Sequence, residues 1–258
     1  EDFFVNSDGQ PIMDARSVSD LSKHGGTILR TSRCPDFHTI EGQKKAAGIL
    51  RKHLIDALIP IGGDGTFHGA VELMEHWDGL VVGCPGTIDN DLIGTDYTIG
   101  FATAVQTAVE ALDKLRDTAE SHERMFLEEV MGRHSGYIAL YTALAGGAEV
   151  ACIPETPTHV PEIIDRLRKL KARGKRSIMI VVAEGAENGG AEKLQADLVA
   201  AACPFQMRVI TLGHLQRGGC PVPADRILGT LLGEFAVKSI LEGKTGVMAG
   251  RIGGTLTL

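Results

Sequence analysis

Short apolar runs, none longer than seven residues, recur along this chain with longer amphipathic stretches between them. "IDALIPI" (55–61), "GLVVG" (79–83), "EVACI" (149–153), "SIMIVVA" (177–183) and "MRVITLG" (207–213) read as buried strands. "MFLEEVM" (125–131) reads as a weaker one, because Glu128 and Glu129 interrupt it. Helical patterns fill the intervals at 40–53, 66–76, 101–119, 136–146, 160–173, 191–202 and 225–242. Strand–helix alternation of this kind specifies an α/β fold, a mainly parallel sheet flanked by helices. A chain of 258 residues suits one large domain or two lobes. In such sheets ligands bind beyond the carboxyl ends of the strands, so the loops there are where function is sought.

Two of those loops carry acid. "GCPGTIDNDL" (83–92) follows an apolar run and places Asp89 and Asp91 two positions apart, with Asn90 between them and Thr87 before them. "IPIGGDGTFHGA" (59–70) is a strand, a glycine-rich turn and a helix that begins near Thr66. Gly62, Gly63 and Gly65 let the backbone approach a phosphate, and the helix N-terminus offers N–H groups to it. Asp64 would repel a bare phosphate but fits a Mg²⁺ ion bridging carboxylate and phosphate. The plainer alternative is a tight turn with Asp64 as a helix cap. Gly63-x-Gly65-x-x-x-Gly69 also resembles a relaxed dinucleotide fingerprint, but no acidic residue ends the next strand to hold a ribose. "EGKTG" (242–246) contains Gly-Lys-Thr, but Lys238 stands where a P-loop needs glycine. The segment reads instead as a helix end with Gly243 near the cap.

Other strand ends carry cations. "MGRHSGY" (131–137) supplies Arg133 and His134, and "LGHLQRGGCP" (212–221) supplies His214 and Arg217. "TSRCPDF" supplies Arg33, and "SHERMF" supplies His122 and Arg124. Several arginines beside glycine at strand ends, together with a Mg²⁺-binding carboxylate, suit two anionic substrates, as in a kinase acting on a phosphorylated acceptor. The net charge of −7 argues against a nucleic-acid partner and makes any anion site a local arginine cluster. The five cysteines form no CxxC pair, which points away from zinc and disulfides and toward a reducing cytoplasm. No apolar run approaches the ~20 residues of a membrane span. The opening "EDFFVNSDGQ" is too acidic and polar for a signal peptide, and without an initiator methionine the chain reads as processed or as a fragment.

"GGDGT", "PGTIDND", "GTDYTIGFATAV", "MGRHSGY", "AEGA" and "LGHLQRGGCPVPADR" occur in the order seen in bacterial-type ATP-dependent 6-phosphofructokinases, and the resemblance runs from "SVSDLSKHGGT" to "ADRILG". It implies two α/β lobes with the site in the cleft between them. Residues 1–100 and 217–258 would form the ATP-binding lobe and 101–216 the sugar-phosphate lobe. It implies transfer of the γ-phosphoryl of MgATP to the 1-hydroxyl of fructose 6-phosphate, giving fructose 1,6-bisphosphate and ADP in glycolysis. By the same resemblance Asp89 is the general base, Thr87 and Asp91 position the sugar and the transferring group, and Asp64 binds Mg²⁺. Arg33 and Arg133 offset charge on the phosphoryl group, and Gly65, Thr66 and Gly69 form the ATP loop with Cys34 near the adenosine. Met131, Gly132, Glu184, His214 and Arg217 match the sugar-phosphate pocket. Arg124 and Arg208 match residues that reach the 6-phosphate from a neighbouring subunit, so a homo-oligomer, tetramer or dimer, is implied. Arg116, Glu155, Arg173, Lys175 and Arg176 match part of the anionic effector site of allosteric relatives. The chain departs from the family in lacking its N-terminal strand and glycine-rich loop. Three rivals share features with it. Pyrophosphate-dependent relatives carry Asp and Lys where this chain has Gly65 and Gly86. GGDGT-type NAD or lipid kinases lack "PGTIDND" and "GHLQRGG", and a non-catalytic regulatory paralogue would lose Asp89 or Asp64.

Overall fold

The computed structural model describes residue 13 and residues 18–29 and 31–258; the opening segment read as no signal peptide lies outside the described residues. In chain order the elements are α1 (Ile40–Lys52), β1 (Ala57–Leu58), β2 (Ile61–Gly62), α2 (Asp64–Met74), β3 (Leu80–Pro85), α3 (Phe101–His122) and β4 (Arg124–Val130). There follow α4 (Tyr137–Gly146), β5 (Val150–Cys152), α5 (Val160–Ala172), β6 (Ile178–Ala183), α6 (Gly190–Ala200) and β7 (Gln206–Thr211). The chain ends with α7 (Pro223–Leu241), β8 (Val247–Met248), β9 (Gly250–Ile252) and β10 (Thr255–Thr257). Two units result. One comprises residues 1–87, 92–99 and 223–258, and the other residues 88–91 and 100–222.

In the first unit β3 is the inner strand, buried along Val81–Pro85. On one side it pairs in parallel with β1 and β2, and on the other with β8. "IDALIPI", expected as one buried strand, is split. Pro60 has no N–H to give the ladder, and Ile61 is half exposed. Its register nevertheless carries on, from Leu58↔Val81 to Ile61↔Cys84, and the Pro60 carbonyl still accepts the Cys84 N–H at 2.9 Å. Ala47 of α1, Leu73 of α2 and Trp77 close over Val81. Leu228, Leu232 and Ala236 of α7 close over Val82 and Cys84. Helix α7 ends as its sequence suggests. Gly243 turns left-handed (φ 75°), its N–H reaches the Ile240 carbonyl, and the Lys244 N–H reaches that of Ser239.

The second unit is a four-stranded parallel sheet in the order β5-β6-β4-β7. The uninterrupted apolar run of β6 is buried on both faces, as an inner parallel strand must be. Phe126, Val130, Met179, Val181 and Ala183 face α3 and α4, while Met125, Leu127, Ile178, Ile180 and Val182 face α5 and α6. Strand β4, expected to be weak, is central, and its two glutamates point to opposite faces. Glu129 accepts the Ala191 N–H at 2.8 Å, satisfying a free donor at the start of α6. "MRVITLG", expected as buried, is the edge strand β7, with Arg208, Ile210 and Thr211 exposed. Among the described residues no helix is long and apolar enough to cross a membrane.

Candidate active site

The second unit gathers its acidic and basic site residues at the carboxyl ends of β4 and β6. The two strands end in register, Val130↔Ala183, and the Glu184 N–H continues the ladder to the Val130 carbonyl at 2.9 Å. The Glu184 carboxylate then turns back and accepts two successive N–H groups, Gly132 at 3.3 Å and Arg133 at 2.9 Å. This holds Gly132 at φ 138° and Arg133 at φ 52°, a left-handed conformation that L side chains rarely adopt. Gly185 is required here, because a Cβ on it would stand 1.7 Å from the Arg133 carbonyl oxygen.

Asp89 belongs to the same cluster. Its carboxylate lies 3.8 Å from Arg133 Nε and its residue is 6% exposed, whereas Asp91 is exposed. Burial raises the Asp89 pKa above its ordinary value. Asp91 adds to the rise, Arg133 and Arg217 oppose it, and Glu184 contributes a smaller increase. Such a carboxylate is a stronger base than an exposed one. Its main chain is held by a residue to which the sequence assigned no role: the buried Ser135 hydroxyl donates to the Asp89 carbonyl at 2.8 Å. A serine hydroxyl so placed has no spacing signature, and only the geometry reveals it. Met131 is buried just beyond β4, and Met131–Arg133 all belong to the turn that Glu184 holds. Arg217 ends the short 3₁₀ turn Gly213–Arg217 beyond β7, where His214 is exposed.

Arg124 and Arg208 are not brought to this cluster within the unit. Arg124 opens β4, opposite Gln206, whereas Arg208 is the third residue of the edge strand β7, exposed and opposite Phe126. Six strand steps separate Arg124 from Val130, ~20 Å at ~3.3 Å per residue, far beyond an arginine side chain's reach. Four of the five effector-type residues, Arg116, Glu155, Lys175 and Arg176, have local partners. Arg116 Nη2 donates to the Gly146 and Gly147 carbonyls, and Glu155 accepts the Gly136 N–H at 2.7 Å. Lys175 lies 2.6 Å from Glu149, and Arg176 lies 3.5 Å from Glu123.

The first unit holds the glycine-rich turn. Its Gly63 carbonyl accepts the Thr66 and Phe67 N–H groups, starting α2 at Asp64. A Cβ on Gly63 would touch Thr87 at 3.4 Å, so Thr87 lies against this turn; a Cβ on Gly65 would meet nothing within 4 Å. The backbone at Gly65 is thus open to a ligand. Beside it a cavity of about 250 Å³ is lined by Phe37, Leu58, Gly65, Thr66, Gly69 and Leu73. Arg33 and Cys34 are exposed, and the Cys34 carbonyl accepts the Phe37 N–H at 3.1 Å. The Asp64 carboxylate is exposed, with His68 Nδ1 at 3.3 Å. No group of three or more His, Cys, Asp or Glu among the described residues could hold a metal ion. A single carboxylate suits Mg²⁺ that takes its remaining ligands from phosphates and water.

The Phosphofructokinase family model matches residues 4–240. The chain belongs to the phosphofructokinase family. It is 51% identical over 246 residues to the ATP-dependent 6-phosphofructokinase 1 of Thermus thermophilus, covering 95% of this chain and 76% of that relative. It is 50% identical to the ATP-dependent 6-phosphofructokinase of Paenibacillus macquariensis, with the same coverage. Among solved structures, phosphofructokinase from Saccharomyces cerevisiae superposes with a TM-score of 0.87 at 34% identity, over 95% of this chain and 37% of that one. The pyrophosphate-dependent phosphofructokinase from Marinobacter aquaeolei gives 0.74 at 26%, over 88% and 61%. The family's parallel sheets flanked by helices are the fold described above.

Gly185→Ala is expected to destabilise the protein by ~1–3 kcal/mol in urea unfolding, because the Arg133 carbonyl must move. Gly65→Ala, with open space around its Cβ, should change stability by under ~0.5 kcal/mol. Equal effects at the two positions would contradict this packing.

Proposed function

We infer that this chain transfers the γ-phosphoryl group of MgATP to the 1-hydroxyl of fructose 6-phosphate, giving fructose 1,6-bisphosphate and ADP, as a cytoplasmic homo-oligomer. The observation that carries the reading is Asp89, a buried carboxylate of raised basicity beside Arg133, in a family member about half identical to enzymes named for this activity. Asp89 takes the proton of the sugar hydroxyl as its oxygen bonds to phosphorus and the bond to the β-phosphate oxygen breaks. Phosphoryl transfer needs alignment and charge neutralisation more than covalent help. Arg133 and Arg33 offset the charge on the transferring group, and Thr87 and Asp91 orient it. Glu184, Met131, His214 and Arg217 surround the sugar phosphate, while Gly65, Thr66 and Gly69 take the nucleotide, with Cys34 near its adenosine. Asp64 would hold Mg²⁺, which when bound would supply charge neutralisation to the phosphates.

Glycines at positions 65 and 86 favour ATP over pyrophosphate as donor. A Cβ at Gly86 would stand 2.9 Å from Ile61 Cγ2 and 3.3 Å from the Gly62 nitrogen, so the lysine of pyrophosphate-dependent relatives does not fit without movement. With fructose 6-phosphate as acceptor, MgATP is expected to support turnover and pyrophosphate little or none. Faster turnover with pyrophosphate under matched conditions would overturn the assignment.

Asp89→Ala should lower kcat by ~10²–10⁴-fold in a coupled assay, with a much smaller change in the KM for ATP. A near-normal kcat would remove Asp89 from proton transfer.

Arg124 lies at the wrong end of its own sheet to serve the Asp89 cluster, and Arg208 is exposed on the edge strand, which supports their reaching the 6-phosphate bound by another copy. An isologous pair then shares two equivalent sites. Mixing Asp89→Ala subunits with Arg124→Ala subunits should yield hybrids with one doubly defective and one intact site. Each variant is expected to be nearly inactive alone, and the mixture to recover a fraction of wild-type turnover. Verified hybrids without recovery would place Arg124 outside the shared site.

A further inference from the structure

The cluster beneath α3 and α4 is also the floor from which the site loops depart. Ile88 precedes Asp89, Val130 precedes Met131, Ala183 precedes Glu184 and Leu212 precedes the 3₁₀ turn carrying His214; all four pack in that one cluster. Glu128 lies on the same face of β4 as Phe126 and Val130, which flank it in alternation and belong to the cluster. Its residue is 1% exposed, and neither carboxylate oxygen has a hydrogen-bond partner. Glu129 next to it, on the other face, is bonded to a helix N-terminus. An unpartnered carboxylate anion cannot be kept in such a place without a large desolvation cost, so the group folds in as the neutral acid.

We propose that Glu128 is a proton-operated latch in the floor of the site: as the neutral acid it lets α3 lie against the sheet, and losing its proton loosens that contact. The ionisable surroundings act in one direction. Asp113 on α3 opposes ionisation, and burial does so more strongly; together they push the carboxyl up to about 8. On α4 the only ionisable side chains are Tyr137 and Tyr141, and β6 has none. On β7, Arg208 lies opposite Phe126, one pair before Glu128 on that face, and it is exposed. Beyond the end of β7 come His214 and Arg217, and Arg217 acts on Asp89.

The sign follows from proton linkage. The folded carboxyl keeps its proton at pH values where the unfolded chain has released it. The stabilisation is therefore complete below the ordinary glutamate pKa and is lost as pH rises through the folded value near 8.

Denaturant unfolding of wild type, Glu128→Gln and Glu128→Leu across this range tests the latch. Relative to either variant, the wild-type unfolding constant is expected to rise by up to about tenfold per pH unit from about pH 5 to about pH 8 and to level off above. Slope, rather than absolute stability, is the readout, since a buried glutamine amide also lacks partners. If the glutamine variant fails to fold, the leucine variant carries the comparison. Asp113→Asn should move the upper end of the slope to lower pH. Parallel curves for wild type and the variants would overturn the proposal, and an upper end unmoved in Asp113→Asn would detach the latch from α3.

Discussion

The carboxylate of Glu184, accepting the N–H groups of Gly132 and Arg133, is the bond on which the candidate site depends. It bends the chain after β4 into a left-handed conformation at Arg133, which no local preference of arginine would select. The bend is possible because β4 and β6 end in register and because Gly185 leaves room for the Arg133 carbonyl. Once bent, the turn places the Arg133 guanidinium beside Asp89 and the Ser135 hydroxyl on the Asp89 carbonyl. Three loops distant in sequence thus become one hydrogen-bonded body. Each bond is modest alone, and the arrangement persists because each partner also restrains the others.

Electrostatics in the second unit follow from which face of the sheet, and which end, a charge occupies. Glu128 and Glu129 are neighbours in sequence, yet one is buried without a partner and the other satisfies α6. Asp89 is buried too, but there two arginines oppose the effect of burial. The surroundings of the two carboxyls differ in whether cations stand near them.

Most of the regular structure was legible in the residues. Each helical pattern became a helix, and the fully apolar run 177–183 became the strand buried on both faces. Failures occurred where burial or length departed from the local pattern. "MRVITLG" is apolar enough for an inner strand but lies at the edge, because edge or centre is decided by pairing and not by composition. The strands β8, β9 and β10 are two or three residues long, too short for periodicity to detect. The Gly253-Gly254 pair, which joins β9 to β10 with both residues at positive φ, was the available signal. In the site, the charged residues stood out as motif members. Ser135 and Gly185 lie within motifs too, but their roles were not legible there, being a hydroxyl's direction and a missing Cβ.

The two ends of the parallel sheet explain why an acidic chain carries arginines in distinct sets. Parallel strands point every carboxyl end one way, so the loops bearing Arg133 and Arg217 share an edge with the Asp89 cluster. Arg124 stands at the opposite end, separated from that cluster by the length of β4, and Arg208 lies partway along the edge strand β7. The rigid sheet acts as a ruler: charge at one edge cannot fold back to serve the other. At that end an arginine serves only what lies there, as Arg176 does in pairing with Glu123.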